Sequence, residues 1–193
     1  MTFCDFETLK FTQSILNQNK NYMNENIFPK EGEYAPYYHK YISKIENIDV
    51  SKLLLNQIEE VRRYYECMGE EKSQLAYAPG KWTAKEVLNH ICDTDRVMTF
   101  RALCFARGER AAFPGFDQDE YVANSGANKI PLNLMLEDFE MSRYALVSMI
   151  KSLPEDSYSR IGNASGFDVS VRALIYIIAG HTEHHLEILK ERY

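Results

Sequence analysis

Long apolar stretches are missing from this 193-residue chain. The longest, ALIYIIAG at residues 173–180, falls far short of the ~20 residues that a helix needs to span a bilayer. No block of five or more Lys and Arg residues occurs, and the formal net charge is -6. Because phosphate backbones bind clustered basic side chains, the sequence predicts neither a membrane nor a nucleic acid as a partner.

Cysteine is scarce and scattered. The four thiols belong to Cys4, Cys67, Cys92 and Cys104, and no two of them form a C-x-x-C pair. This spacing is typical of reduced thiols rather than of a disulfide framework. The first twenty residues also lack the basic start and apolar core of a signal peptide. We therefore expect an acidic cytoplasmic protein whose length suits one main domain.

The chain divides into a polar amino-terminal segment and a helical remainder. Residues 1–33 are rich in Asn, Gln and Lys, so we predict a short extension there and one domain over residues 34–193. In that domain apolar residues recur at helical spacing in four stretches. The stretches begin at about residues 49, 83, 131 and 170. Four amphipathic helices without convincing β alternation predict an all-α fold, a four-helix bundle.

Local signals place the helix boundaries. Thr83 followed by Glu86 predicts a capping box at the start of the second helix, and Gly69 is predicted to end the first. Ser170 is a plausible cap for the fourth helix. The connection between the second and third helices, residues 111–130, is longer than most inter-helix loops. We therefore predict that it forms a pocket wall or a lid.

Three of the five histidines lie within five positions near the carboxyl end. His181 and His185 fall on the apolar stripe of the last helix, one turn apart, where Cβ atoms are roughly 5–6 Å from each other. His90 falls on the inward stripe of the second helix, where it can face them. Three imidazoles can bind one metal ion and leave a coordination position open, as catalytic sites do. The alternative is a set of core histidines hydrogen-bonded to carbonyl or carboxylate groups.

Three polar residues are candidates for catalysis beside these histidines. Asp93, one turn after His90, is placed to accept the second N–H of a ligand histidine, with an exposed helix carboxylate as the alternative. Asp117 and Gln118, in the loop sequence FPGFDQDEY, are candidates for substrate contact or proton transfer. A turn held by local hydrogen bonds is the alternative for this loop pair.

Several further residues receive structural interpretations. Arg101 and Arg107 can hold a substrate carboxylate, although surface salt bridges are the default expectation. Asp95 is predicted to be solvated and His184 to lie off the inward stripe of its helix. Trp82 is predicted to pack under the second helix rather than to contact a ligand.

Three segments together resemble one known family. They are APGKWTAKEVLNHICDTDRVMTFRAL, ARGERAAFPGFDQDEYV and VRALIYIIAGHTEHHLEILKERY. Their order, a Trp, a His, the FPGFDQ loop and a late H-x3-H, is similar to that of the DinB-like superfamily. That superfamily of mostly bacterial four-helix-bundle proteins includes the YfiT-like candidate metal-dependent hydrolases. The resemblance covers residues 34–193 and excludes the extension.

The resemblance implies a site and a range of functions. It assigns the metal to His90, His181 and His185, with zinc or nickel as the divalent ion, and it implies a homodimer. The implied chemistry is transfer of a low-molecular-weight thiol, held as thiolate, to an electrophilic small molecule. Metal-dependent hydrolysis is the alternative enzyme function. A metal-binding, stress-related protein without catalysis is the alternative of another class.

Overall fold

The fold is mostly helical, as a computed structural model of the chain shows; it describes residues 27–46 and 48–193. The helices are α1 (His39–Ile42), α2 (Val50–Ser73), α3 (Ala84–Ala106), α4 (Gln118–Ser125), α5 (Leu132–Ser152) and α6 (Val171–Arg192). The strands are β1 (Ile161–Ala164) and β2 (Phe167–Ser170). In this part of the chain, no helix is both long enough and apolar enough to cross a membrane.

Helices α2, α3, α5 and α6 form a four-helix bundle. Helix α3 packs against α5 and α6, and α2 packs against the same two helices. The consecutive helices α2 and α3 therefore lie diagonally across the bundle rather than side by side. The predicted all-α bundle is confirmed, and so are the capping box of Thr83 with Glu86 and the cap formed by Ser170.

The first bundle helix continues beyond the residue predicted to end it. Gly69 has a left-handed φ of 78°, which kinks the helix, and the chain then adds another turn up to Ser73. Glu70 stabilises this turn, because its carboxylate accepts hydrogen bonds from the buried ammonium of Lys85 and from the backbone N–H of Leu132. The sequence signal for a helix end marks a kink here, since tertiary hydrogen bonds hold the last turn.

Residues 161–170 form a β-hairpin that the sequence did not predict. Strands β1 and β2 pair antiparallel, and the turn between them places Ser165 and Gly166 at φ 57° and 82°. Two successive left-handed residues are the conformation of a two-residue hairpin turn. The strands are only four residues long, too short for their alternation to stand out. The hairpin packs on α3, where Gly162 leaves room for the ring of Phe105.

The long connection between α3 and α5 contains helix α4. Asp117 caps this helix by accepting hydrogen bonds from the backbone N–H groups of Asp119 and Glu120, and Gly126 ends it in a left-handed conformation. Helix α4 packs against α3. The connection is therefore an ordered element on the bundle surface rather than an open loop.

Most of the predicted extension, residues 1–26, lies outside the described residues. In the described part, Phe28 packs edge-to-face on Tyr176 with ring centroids 5.3 Å apart. The carboxylate of Glu33 accepts hydrogen bonds from Arg172 and from the hydroxyl of Ser170. Residues 28–33 therefore contact the start of α6, while the boundary between extension and domain at residue 33 stays a prediction.

Helix α1 lies directly on α6, just before the two histidines of that helix. A Cβ at Gly180 would clash with the backbone carbonyl oxygen of Tyr41. The glycine is needed for this close approach, which brings the ring of Tyr41 against that of His181 with centroids 5.3 Å apart.

Replacing Gly180 with alanine therefore tests the contact between α1 and α6. In an isolated helix this change is stabilising by up to about 1 kcal/mol. In the protein we expect destabilisation by about 1–3 kcal/mol, because the new methyl group must displace the backbone of α1. Urea unfolding of both proteins measures the difference. A more stable variant would contradict the close packing of the two helices.

Candidate functional site

The three histidines of the predicted trio converge on one point inside the bundle. His90 comes from α3, and His181 and His185 come from successive turns of α6. The Nε2 atom of His181 lies 3.0 Å from the Nε2 atom of His90 and 3.0 Å from that of His185. Ligand atoms of all three residues lie within 4.8 Å of one another. The 3.6-residue period of two packed helices accounts for the convergence.

All three imidazoles are held in the neutral form. Burial lowers the pKa of His90 to about 4. Burial, with the nearby His90, lowers the pKa of His185 to about 3. The pKa of His181 lies well below its usual value because of burial and of the neighbouring histidines. Neutral imidazole is the form that binds metal ions, so the trio is ready to bind one at neutral pH.

The arrangement fits a metal ion better than a hydrogen-bonded core. A ring nitrogen has either one N–H or one lone pair in the ring plane, so the Nε2 atom of His181 can satisfy only one of its two contacts. The Nδ1 atom of His181 is buried without a hydrogen-bond partner among the described residues. Nitrogens bound to one zinc ion at 2.0–2.1 Å in tetrahedral geometry lie about 3.3 Å apart. The observed 3.0 Å separations are close to that value.

A pocket of about 160 Å³ opens beside two of the histidines. Its lining comes from α1 and the preceding turn, α3, α6, the connection before α4, the first residue of α4 and the hairpin. The lining residues are Tyr37, Tyr38, Tyr41, His90, Thr94, Met98, Phe116, Gln118, Ser165, Ile177 and His181. The pocket walls are thus largely aromatic, with a few polar groups and two of the three candidate ligands.

The surroundings of the trio hold its rings in place. Trp82 lies against His90 with ring centroids 4.9 Å apart, and Tyr41 packs edge-to-face on His181. His184 contacts Tyr41 and His185 from outside the group. Trp82 thus packs beside the second bundle helix, and it also forms part of the immediate environment of the candidate site.

The three predicted catalytic residues lie in different environments in the structure. Gln118 lines the pocket. Asp117, its neighbour, is exposed and its carboxylate caps α4, which is the local turn that the sequence left open as the alternative. Asp93 accepts a 2.7 Å hydrogen bond from Asn89 and lies 3.9 Å from Arg96. Of the three, only Gln118 lines this pocket.

A buried polar network next to the trio was missed. The guanidinium of Arg143 is fully buried and donates hydrogen bonds to Asp95 at 2.7 Å, to Gln57 at 2.6 Å and to the hydroxyl of Thr182. The prediction that Asp95 is solvated is wrong, since it is 2% exposed. Burial raises the pKa of Asp95 to about 6, against the opposing effect of Arg143, so the carboxylate is ionised at neutral pH.

A sequence signal for this network existed. Arg143 falls four residues after Phe139 and three before Leu146, on the apolar stripe of α5. A charged side chain at such a position is buried only when it is paired. The four residues of the network come from all four bundle helices, so it fixes α6 relative to the other three next to His181.

Comparisons with known proteins agree on the fold and on a family. The sequence profile of the DinB superfamily matches residues 53–189. Two candidate metal-dependent hydrolases of Oceanobacillus iheyensis are similar in sequence. OB0413 is 25% identical over 64% of this chain and 71% of its own length. OB0782 is 24% identical over 77% of this chain and 81% of its own length.

A solved structure shows the same architecture. It is that of YfiT from Bacillus subtilis, described as a candidate metal-dependent hydrolase with an unusual four-helix bundle topology. The match has a TM-score of 0.70 at 17% sequence identity, and it covers 86% of this chain and 95% of YfiT. At this identity the likeness concerns the fold.

Proposed function

This chain belongs to the DinB superfamily, and we propose that it is a metal-dependent enzyme acting on a small molecule. His90, His181 and His185 would hold one divalent transition-metal ion, zinc or nickel. The observation that carries the proposal is the convergence of three neutral Nε2 atoms beside an open pocket. Three ligands fall one short of a closed structural zinc site. The homodimer and the cytoplasmic location expected from the sequence stay predictions.

Hydrolysis of a small ester or amide is the reaction we propose first. The sequence relatives OB0413 and OB0782 are candidate metal-dependent hydrolases, which supports this choice. When bound, a divalent ion polarises a carbonyl group and lowers the pKa of a water molecule toward neutrality. Three neutral imidazoles leave the +2 charge of the ion undiminished, which favours both effects.

The side chains of the pocket would bind and orient the substrate. Burial raises the pKa of Tyr38 and of Tyr41, so both hydroxyls keep their protons at neutral pH and can donate hydrogen bonds. Gln118, on α4, also lines the pocket and offers an amide donor and acceptor. Trp82 packs against the ring of His90 and Tyr41 against that of His181, so the outer faces of these two histidine rings are shielded from water.

Thiol transfer is the second candidate, and the composition of the pocket favours it. Among the described residues that line the pocket there is no Asp, Glu or Lys, so no side-chain carboxylate or amine is at hand as a general base. A small thiol has a pKa near 8.5 and ionises beside a cation without such a base. The thiolate would then attack a carbon of a small electrophile oriented by the same side chains. It would displace the halide ion of an alkyl halide, or open an epoxide whose oxygen takes a proton from water.

Turnover with and without thiol distinguishes the two reactions. We expect the untagged protein to hydrolyse members of a panel of small esters without added thiol. Chelation should abolish this activity, and one equivalent of zinc or nickel should restore it. Turnover of an alkyl halide or epoxide only in the presence of a small thiol would instead establish the transferase. Metal binding without either activity would establish the non-catalytic alternative.

A further inference from the structure

Arg101, on α3, carries a buried charge without a carboxylate partner in the part of the chain that the structure describes. Its side chain is 4% exposed. One guanidinium nitrogen donates a 2.7 Å hydrogen bond to the carbonyl of Pro114, and another lies 3.6 Å from the sulfur of Met98. These partners are neutral, so the charge of Arg101 is not compensated by them.

The other two buried arginines of the described chain are fully compensated. Arg143 forms a buried ion pair with Asp95, and Arg172 forms one with Glu33. A buried guanidinium without an anion is unfavourable, because it has lost its hydration and gained no counter-charge. Arg101 therefore differs from both in having unused capacity to bind an anion.

Thr94 supplies a second unused polar group on the same helix. It is 4% exposed, its hydroxyl has no hydrogen-bond partner among the described residues, and it lines the pocket. It lies one turn after His90 and seven residues before Arg101, so the three share one face of α3. A buried hydroxyl without a partner is costly, and a ligand in the pocket would satisfy it.

Arg101 lies beside the pocket, in contact with two of the residues that line it. Its sulfur contact, Met98, lines the pocket, and its guanidinium carbon lies 6.0 Å from the ring centroid of Phe116, which also lines it. The contact to Met98, three residues earlier, shows that the side chain folds back toward His90. Eleven residues of helix rise by about 16 Å, and this folding leaves on the order of 10 Å between guanidinium and histidines.

We propose that the pocket binds its substrate through a carboxylate, held by the hydroxyl of Thr94 and the guanidinium of Arg101. The other end of the substrate would lie at the three histidines, an assignment that rests on the proposed function. Phe116 and Tyr38 would contact the apolar body between the two ends. The described residues that line the pocket include no Arg or Lys, and Arg101 lies next to the lining residues Met98 and Phe116. A singly charged carboxylate therefore fits better than a phosphate.

Binding of hexanoate and of its uncharged amide, hexanamide, to the full chain as purified tests the proposal. Trp82 is the only tryptophan and lies against His90, so its fluorescence can report occupancy. We expect hexanoate to bind about 10-fold or more tightly than hexanamide. Arg101→Gln should lower the affinity for hexanoate about 10–100-fold and change the affinity for hexanamide by no more than about twofold. Arg101→Lys, which keeps the charge, should retain most of the preference.

Thr94 is tested with an isosteric change. Thr94→Val replaces the hydroxyl with a methyl group and should lower the affinity for hexanoate by about 5–10-fold. The Thr94→Ser variant keeps the hydroxyl and should bind hexanoate nearly as tightly as the parent protein does. Thermal unfolding followed by circular dichroism verifies that all variants are folded at the assay temperature. Equal weakening of hexanoate by Val and Ser at this position would overturn the role of the hydroxyl.

Three results would overturn the carboxylate subsite. The first is equal affinity of the parent protein for hexanoate and hexanamide. The second is equal weakening of both by Arg101→Gln, which would make Arg101 an anchor of the Pro114 loop only. The third is a preference for hexanoate that survives in Arg101→Gln, which would place the carboxylate elsewhere. Metal-dependent hydrolysis of neutral esters is independent of these results, so either proposal can fail alone.

Discussion

Replacing His181 with alanine is expected to lower the affinity of the protein for zinc by at least about 100-fold. His181 is the central member of the trio, since its Nε2 atom lies 3.0 Å from the Nε2 atoms of both other histidines. The imidazoles of His90 and His185, on different helices, would remain. The ring of His181, which lies between them, would no longer hold them in position. Competition with a chromophoric chelator at neutral pH measures the change.

His184→Ala is the matched control for this substitution. His184 lies on the same helix, next to His185, and contacts Tyr41, but it is outside the converging group. We expect its removal to change zinc affinity by less than about threefold, as outer positions that make no hydrogen bond to a ligand do. Equal losses in the two variants would show that general damage to α6, rather than removal of a ligand, is responsible.

Replacing Arg143 with methionine is expected to destabilise the fold by about 3–5 kcal/mol. The substitution leaves the carboxylate of Asp95 buried and uncompensated, and it removes donors to Gln57 and Thr182. Urea unfolding at neutral pH measures the loss. Because Thr182 is adjacent to His181, we expect the variant to bind zinc more weakly as well.

Two further variants separate the buried charge from the general loss of an arginine. Arg143→Met combined with Asp95→Asn should recover part of the lost stability, because no unpaired charge remains. Arg96→Met, which breaks the half-exposed ion pair with Asp138, should cost no more than about 1 kcal/mol. Similar losses for Arg96→Met and Arg143→Met would contradict the assignment of a buried network.

The positions of the three histidines were predictable because helical periodicity places each of them on the inward stripe of its helix. Once His181 and His185 are placed on the inward stripe of one helix and His90 on that of another, packing of the two helices brings their rings together. The same logic applied to Arg143 and Asp95 would have predicted the buried network. Both residues fall on inward stripes, and a charge there points to a partner.

The pocket was not predictable in the same way. Its walls include Tyr37, Tyr38 and Ser165, which lie in a 3₁₀ turn and a hairpin turn. No period in the sequence specifies where such irregular segments pack. Asp117 illustrates the difficulty, because an Asp before a short helix can cap it or face a ligand, and only the tertiary structure distinguishes the two.

The order of the helices around the bundle also lay beyond the sequence pattern. Amphipathic stripes identify four helices but do not order them around the core, and the long connection between α3 and α5 permits several arrangements. In the structure α3 and α6 are neighbours, which is the arrangement that the trio requires. The close approach of Tyr41 to Gly180 adds the tyrosine-bearing segment to the same end of α6.

An anomalous difference map from a crystal of the untagged protein, collected at the absorption edge of the metal that elemental analysis finds, tests the central claim most directly. We predict one strong peak per chain, at about 2.0–2.1 Å from the Nε2 atoms of His90, His181 and His185. The side of the peak that faces Thr94 and Gln118 should carry no fourth protein ligand. Well-ordered side chains of the three histidines without any peak between them, even after soaking with zinc or nickel, would contradict a metal centre and the enzymatic function built on it.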